Sequence, residues 1–167
     1  MATGEIQLTT QAALIPVSSF PALKRHASSG TETPEGWILA FDAGSSEYVY
    51  FQFKVPADYA SDPVLKIYYS MASATSGAVR WNCNVMCTTD DADDLDTAAA
   101  GSDNAVNDTV PNVAGELGIA SITLTNNDSM AADDMCVIKV ERDGANAGDT
   151  ATGDAELWMV VLQYTTS

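Results

Sequence analysis

Between Val64 and Thr88 the chain alternates apolar and polar side chains twice, in Val-Leu-Lys-Ile-Tyr-Tyr-Ser-Met and in Ala-Val-Arg-Trp-Asn-Cys-Asn-Val-Met-Cys-Thr. A small-residue link, Ala72–Gly77, joins the two runs. A half-buried strand needs its apolar side chains on one face at a period of two, and Val79, Trp81, Cys83, Val85 and Cys87 keep that period unbroken. Arg80, Asn82 and Asn84 fall on the opposite face. The fold class expected from this feature is all-β, and an antiparallel β-sandwich in particular.

Similar runs recur at Trp37–Asp42, Glu47–Val55, Leu117–Thr125, Met135–Arg142 and Ala155–Thr165, with a weaker one at Ala105–Val110. Together with the opening pair they make about eight strands. Gly, Ser, Asn and Asp clusters between them supply turn chemistry, as in Ala-Gly-Ser-Ser at 43–46 and Asn-Asn-Asp-Ser at 126–129. No long stretch has the i, i+3, i+4, i+7 stripe of an amphipathic helix, and Asp93–Ala100 suits one Ala-rich helical turn at most. Parallel βαβ units are therefore not expected. Between a jelly roll and an immunoglobulin-like sandwich, the long link from Thr89 to Gly115 favours the jelly roll, whose connections pass between opposite sheets. The Cys-Trp-Cys spacing of immunoglobulin domains is missing.

Residues 1–35 read differently: short apolar groups, Ile6 and Leu8, then Leu14, Ile15 and Val17, are separated by polar residues and by Pro16, Pro21 and Pro34. Proline cannot donate to a central ladder, so the segment is expected to be an extended N-terminal arm, with 21–26 able to pair as an edge strand. The domain division expected is thus 1–35 arm and 36–167 sandwich.

With 167 residues and 46% apolar content the chain can fill one core. Its 23 acidic and 7 basic residues give a formal net charge of -16, which argues against nucleic acid and anionic membranes as partners. Lys24-Arg25 is the one adjacent basic pair. The N-terminus, Met-Ala-Thr-Gly-Glu, has no charged region leading into an apolar run, and no stretch approaches about 20 apolar residues. Synthesis and retention in a cytoplasm are expected from this. Cys83 and Cys87, four apart on one strand, lie about 13 Å from each other and cannot bridge. All three cysteines, Cys136 included, are expected to be reduced core residues.

Catalytic constellations are not evident. The single histidine, His26, has no motif around it, and nucleophile elbows, His-Glu-x-x-His, Cys-x-x-Cys and phosphate loops are absent from the sequence. A glycosidase-type carboxylate pair depends on three-dimensional separation, which a sequence does not display. The acid-rich run Thr89–Asp96 lacks the Gly and Glu positions of a calcium loop and is read as solvated. Asp128, Asp133 and Asp134 are read the same way. No catalytic residue, metal ligand or cofactor is assigned. Tyr48, Tyr50, Tyr68, Trp81, Trp158 and Tyr164 could stack on sugars, but alternation assigns them to core or rim packing. Lys54, Lys66, Arg80, Lys139 and Arg142, which sit in strands, are expected to face carboxylates on neighbouring strands.

The order Phe51–Tyr59, Ala72–Trp81, an acidic loop, Val140-Glu-Arg-Asp143 and Asp154–Tyr164 resembles small jelly-roll virion proteins of tailed bacteriophages. The resemblance spans roughly residues 37–166. It implies a capsid decoration (cement) protein that bridges capsid subunits on the outer surface of the head, a homotrimer, with the major capsid protein as partner and no enzymatic activity. The arm would then supply the capsid or subunit contacts: Ile6, Leu8, Leu14, Ile15 and Phe20 as apolar anchors, Lys24 and Arg25 as charged ones. The alternative role implied by the resemblance is a tail-fibre or receptor-binding component that holds a host glycan.

Overall fold

The computed structural model describes residues 2–26 and 35–167. Two antiparallel sheets pack face to face as a jelly-roll sandwich. The six-stranded sheet holds β2 (Ala22–His26), β3 (Gly36–Phe41), β10 (Ala155–Thr166), β5 (Tyr59–Met71) and β8 (Gly118–Thr123) in that order, and β1 (Thr3–Thr9) also pairs with β10. The four-stranded sheet runs β4 (Ser46–Lys54), β9 (Met135–Asp143), β6 (Ala78–Thr88), β7 (Asn104–Thr109). From β3 onward every connection crosses between the sheets except β6 to β7. The core lies between the inner faces: Leu39, Phe41, Leu65, Ile67, Tyr69, Leu157, Val160 and Leu162 from one, Val49, Phe51, Val79, Trp81, Val85, Ile138 and Val140 from the other. Each series follows the period of two that the sequence displays. In β10 a register shift between Leu157 and Met159 changes the phase, so that Val160 and Leu162 still point inward.

Three expectations are corrected. Ten strands replace about eight, and the first lies inside the expected arm: Ile6 and Leu8 alternate inward on β1, which pairs with β10 from Thr3↔Thr165 to Thr9↔Met159. Residues 3–26 are therefore part of the sandwich and not an extension of it, while Met1 and residues 27–34 of the expected arm lie outside the described residues. Gly4 makes the pairing possible, since a Cβ there would stand 2.2 Å from the Tyr164 ring that lies over it. Secondly, the Thr89–Gly115 link is not one passage between sheets: its first part joins β6 to β7 within the same sheet, and only the part after β7 leads across toward β8. The jelly roll is correct, and of the reason given for it only the crossing after β7 holds.

The third correction concerns cysteine. Cys87 on β6 and Cys136 on β9 stand directly opposite each other and form a disulfide, leaving Cys83 as the free, buried thiol. Same-strand spacing excluded a Cys83–Cys87 bridge, but pairing across strands is a matter of register. The argument from free thiols to a reducing compartment is withdrawn with it.

Candidate functional site

After β1 the chain makes a short 3-10 turn, Thr10–Ala12, and leaves the six-stranded sheet for the edge of the other. There Leu14 exchanges two backbone hydrogen bonds with Tyr50 of β4, at 2.8 and 3.1 Å, and the Ser19 carbonyl accepts the Tyr48 N–H at 2.9 Å. The chain then returns to the first sheet as β2. This excursion straps one side of the sandwich and leaves a groove beside the start of β3.

The inward series of β3 is Trp37, Leu39, Phe41. Leu39 and Phe41 are fully buried, whereas Trp37 is 49% exposed, so the series emerges from the core at its first member. In the β2–β3 register Leu23 stands opposite Leu39 and Arg25 opposite Trp37. Arg25 forms an ion pair with Glu35. Buried Thr10 donates its hydroxyl to the Trp37 carbonyl at 2.8 Å, which ties the indole's backbone to the strap. Two open depressions adjoin here. One, of about 270 Å³, is lined by Thr10, Gln11, Ala13, Ile15, Leu23 and Trp37. The other, of about 290 Å³, is lined by Gln11, Arg25, Glu35, Gly36 and Trp37. An indole face flanked by an amide, a guanidinium and a carboxylate offers one apolar surface and several planar hydrogen-bonding groups. That combination suits a ligand bearing both C–H faces and hydroxyls.

The structure distributes the seven expected contact residues unevenly. Leu8 is buried in the core and Ile6 packs against it, so both are used internally. Leu14, Ile15 and Phe20 are exposed, and Ile15 lines the groove. Arg25 lines it too, but neighbouring Lys24 points to the other face of β2 and bonds Asp154 at 2.8 Å. Trp37, Gln11, Leu23 and Glu35 were not singled out by the sequence. The available signal was the phase of Trp37, which is that of Leu39 and Phe41 at the very beginning of a strand.

The six aromatics weighed earlier do not form this surface. Trp81 is fully buried between Phe41 and Tyr69, and Tyr164 is buried with its hydroxyl on Asp58 at 3.0 Å. Trp158 lies edge-on to His26 and donates its indole N–H to Ser70 at 2.9 Å. Tyr48 and Tyr50 pack against each other on β4.

Other polar clusters are internally satisfied. Asp93 and Asp94 in the acidic loop accept the backbone N–H groups of Thr89 and Asp96, and with Asp128 they line a cleft of about 410 Å³. Among the described residues no three His, Cys, Asp or Glu side chains converge as metal ligands would. Ser70 donates to Glu156 at 3.1 Å, and Glu156 lies 4.0 Å from His26. Here the carboxylate, rather than the imidazole, adjoins the hydroxyl, the reverse of a nucleophile–base arrangement, and Ser70 is buried. Burial, with its hydrogen bond to Asp108, pushes the Tyr69 hydroxyl well above its ordinary pKa. Burial likewise raises the Cys83 thiol, which keeps it protonated and inert.

Of the strand cations, Lys54 pairs with Asp133 and Lys139 with Glu141 on its own strand, beneath the Tyr48 ring. Arg80 bonds Asn82 and Asn107. Arg142 departs from the expected pairing across strands: it is fully buried and bound to Asp149 of the connection that follows β9.

No family model matches the sequence, and no curated protein matches it. Solved structures do. A family 35 carbohydrate-binding module of Cellvibrio japonicus Abf62 superposes with a TM-score of 0.56 at 8% identity, covering 98% of this chain and 99% of that one. A family 35 module from Clostridium thermocellum gives 0.55 at 11% identity, covering 95% and 97%. The CBM36-1 domain of a multidomain xylanase from the hindgut metagenome of Trinervitermes trinervoides gives 0.50 at 7%, covering 95% and 96%. At these identities the likeness is one of fold.

Proposed function

We propose that this protein is a non-catalytic carbohydrate-binding β-sandwich that holds a glycan in the groove at Trp37. The observation that carries the proposal is a half-exposed indole, continuous with the core series of β3, between Gln11 and the Arg25–Glu35 pair. The fold shared with carbohydrate-binding modules supports it. In a tailed-phage virion, the setting implied by the sequence resemblance, the glycan would be a surface polysaccharide of the host.

Affinity electrophoresis through gels containing a panel of polysaccharides tests this directly. Retardation by at least one polymer is expected, and Trp37→Ala should weaken it by about 2 kcal/mol or more, roughly 30-fold, as for an aromatic anchor at a binding centre. Thermal unfolding of the variant serves as the control that its fold persists. No retardation by any polymer, or equal retardation of wild type and Trp37→Ala, rejects the proposal.

The exposed apolar row Leu14, Ile15, Val17 and Phe20 favours a second reading, contact with a capsid subunit as a decoration protein. A Leu14→Ser/Phe20→Ser double variant separates the two. It should retain glycan binding and lose capsid occupancy if the row is a protein contact.

A further inference from the structure

We infer that the Trp37 groove takes an uncharged glycan, and that the bound length is at least two sugar residues lying across the indole. This rests on the glycan-binding reading above and adds the ligand's charge and length.

The charge follows from what surrounds the groove. Among the described residues its one cation, Arg25, is already matched by the carboxylate of Glu35, so that lining is neutral as a set. Lys24, the nearest other base in sequence, points to the opposite face of β2 and is held by Asp154. Beyond the groove, the molecule carries a formal net charge of -16, and such a field opposes any approaching polyanion over the roughly 8–10 Å that physiological salt leaves unscreened. A uronate or sulfated chain would have to displace Glu35 from Arg25 against that field. A neutral chain leaves the pair in place and uses its outer edges, with the Gln11 amide, as hydrogen-bonding groups for hydroxyls.

The length follows from shape. Both depressions include Trp37 and Gln11, so these two residues form the saddle between them. One side is mostly apolar, walled by Ala13, Ile15 and Leu23; the other is polar, walled by Arg25, Glu35 and Gly36. Both are open clefts rather than closed pits, so a chain can enter one, cross the indole and leave through the other. A monosaccharide occupies only one of the two.

Titration of the full chain, followed by Trp fluorescence and calorimetry, uses neutral polymers (mixed-linkage β-glucan, xylan, galactomannan, starch), anionic ones (polygalacturonate, alginate) and the mono- to hexasaccharides of whichever binds. The expected result is Trp37-dependent binding of a neutral polymer. Its affinity should change less than about twofold between about 50 mM and 500 mM NaCl, and it should rise about tenfold or more from monosaccharide to trisaccharide. Trp37-dependent binding that prefers a uronate polymer and weakens steeply with salt overturns the inference while leaving the glycan-binding reading intact. So does a monosaccharide that binds as well as its oligomers. Absence of Trp37-dependent binding to every polymer overturns both.

Discussion

Arg142 shows what a single residue contributes to this sandwich. Its guanidinium uses all five N–H donors: two on Asp149 at 2.9 and 2.8 Å, two toward the carbonyls of Phe41 and Gly153 at 3.1 and 2.7 Å, one on the Ala151 carbonyl at 2.8 Å. Both charged side chains are fully buried. The pair pins the 144–154 connection over the end of the core, where Gly77, at φ +94, lies so near the Thr150 backbone that a Cβ on it would stand 2.9 Å away. Removing the guanidinium leaves the buried Asp149 carboxyl without its charge partner, with only the Arg80 backbone N–H, at 3.0 Å, still donating to it. Arg142→Ala should therefore cost about 3–5 kcal/mol in urea unfolding, and Arg142→Lys should recover only part, because a lysine cannot supply the planar fork. A loss below about 1 kcal/mol would show that the loop is held by other means. The phase of position 142, the same as Cys136, Ile138 and Val140, was visible in the sequence. Its partners were not, since Asp149, the Ala151 and Gly153 carbonyls of the same connection and the Phe41 carbonyl at the end of β3 meet it only in the folded chain. Trp37 is the converse: its phase says core, and only the packed structure shows that the described residues leave it half-exposed.

At the scale of elements, the strong strands were legible because their alternation is long. β6 spans Ala78–Thr88, the expected limits, and β9 and β10 each differ by a residue at the C-terminal end. β1 escaped because seven residues with two apolar positions and a glycine make a weak pattern; it is stabilised by β10, more than 140 residues away in sequence. The disulfide belongs to the same class of fact. Cys87 and Cys136, 49 residues apart, join β6 to β9 at the end where the acidic loop and the 124–134 connection depart. Closing a loop of that size restricts the unfolded chain by about 4 kcal/mol in the chain-entropy account. Cys87→Ser/Cys136→Ser should accordingly lower stability by about 2–4 kcal/mol. Thiol titration of the denatured wild type should count one thiol without reductant and three with it. Three in both conditions would mean that the strands pair without the bond.

For the whole molecule, the excess of acids over bases governs behaviour in solution more than it governs the fold. The surface ion pairs, Lys24–Asp154 and Lys54–Asp133, are exposed and together weak. Self-repulsion outweighs them, so the urea midpoint should rise as NaCl increases from about 10 mM to about 150 mM and the screening length falls from about 30 Å to 8 Å. A falling midpoint would show that the surface pairs dominate. The amino-acid sequence by itself determined the class of fold, an antiparallel sandwich, because period-two alternation is a local property and its inner face has to be buried wherever the strand sits. It determined the sign of the molecular field for the same reason: charge is additive and needs no coordinates. Tertiary structure alone decided which strand pairs with which, hence the disulfide and the place of β1. It also decided where the alternating series of β3 runs out of cover. A groove is the absence of a packing partner, and that absence is a property of distant segments meeting or failing to meet.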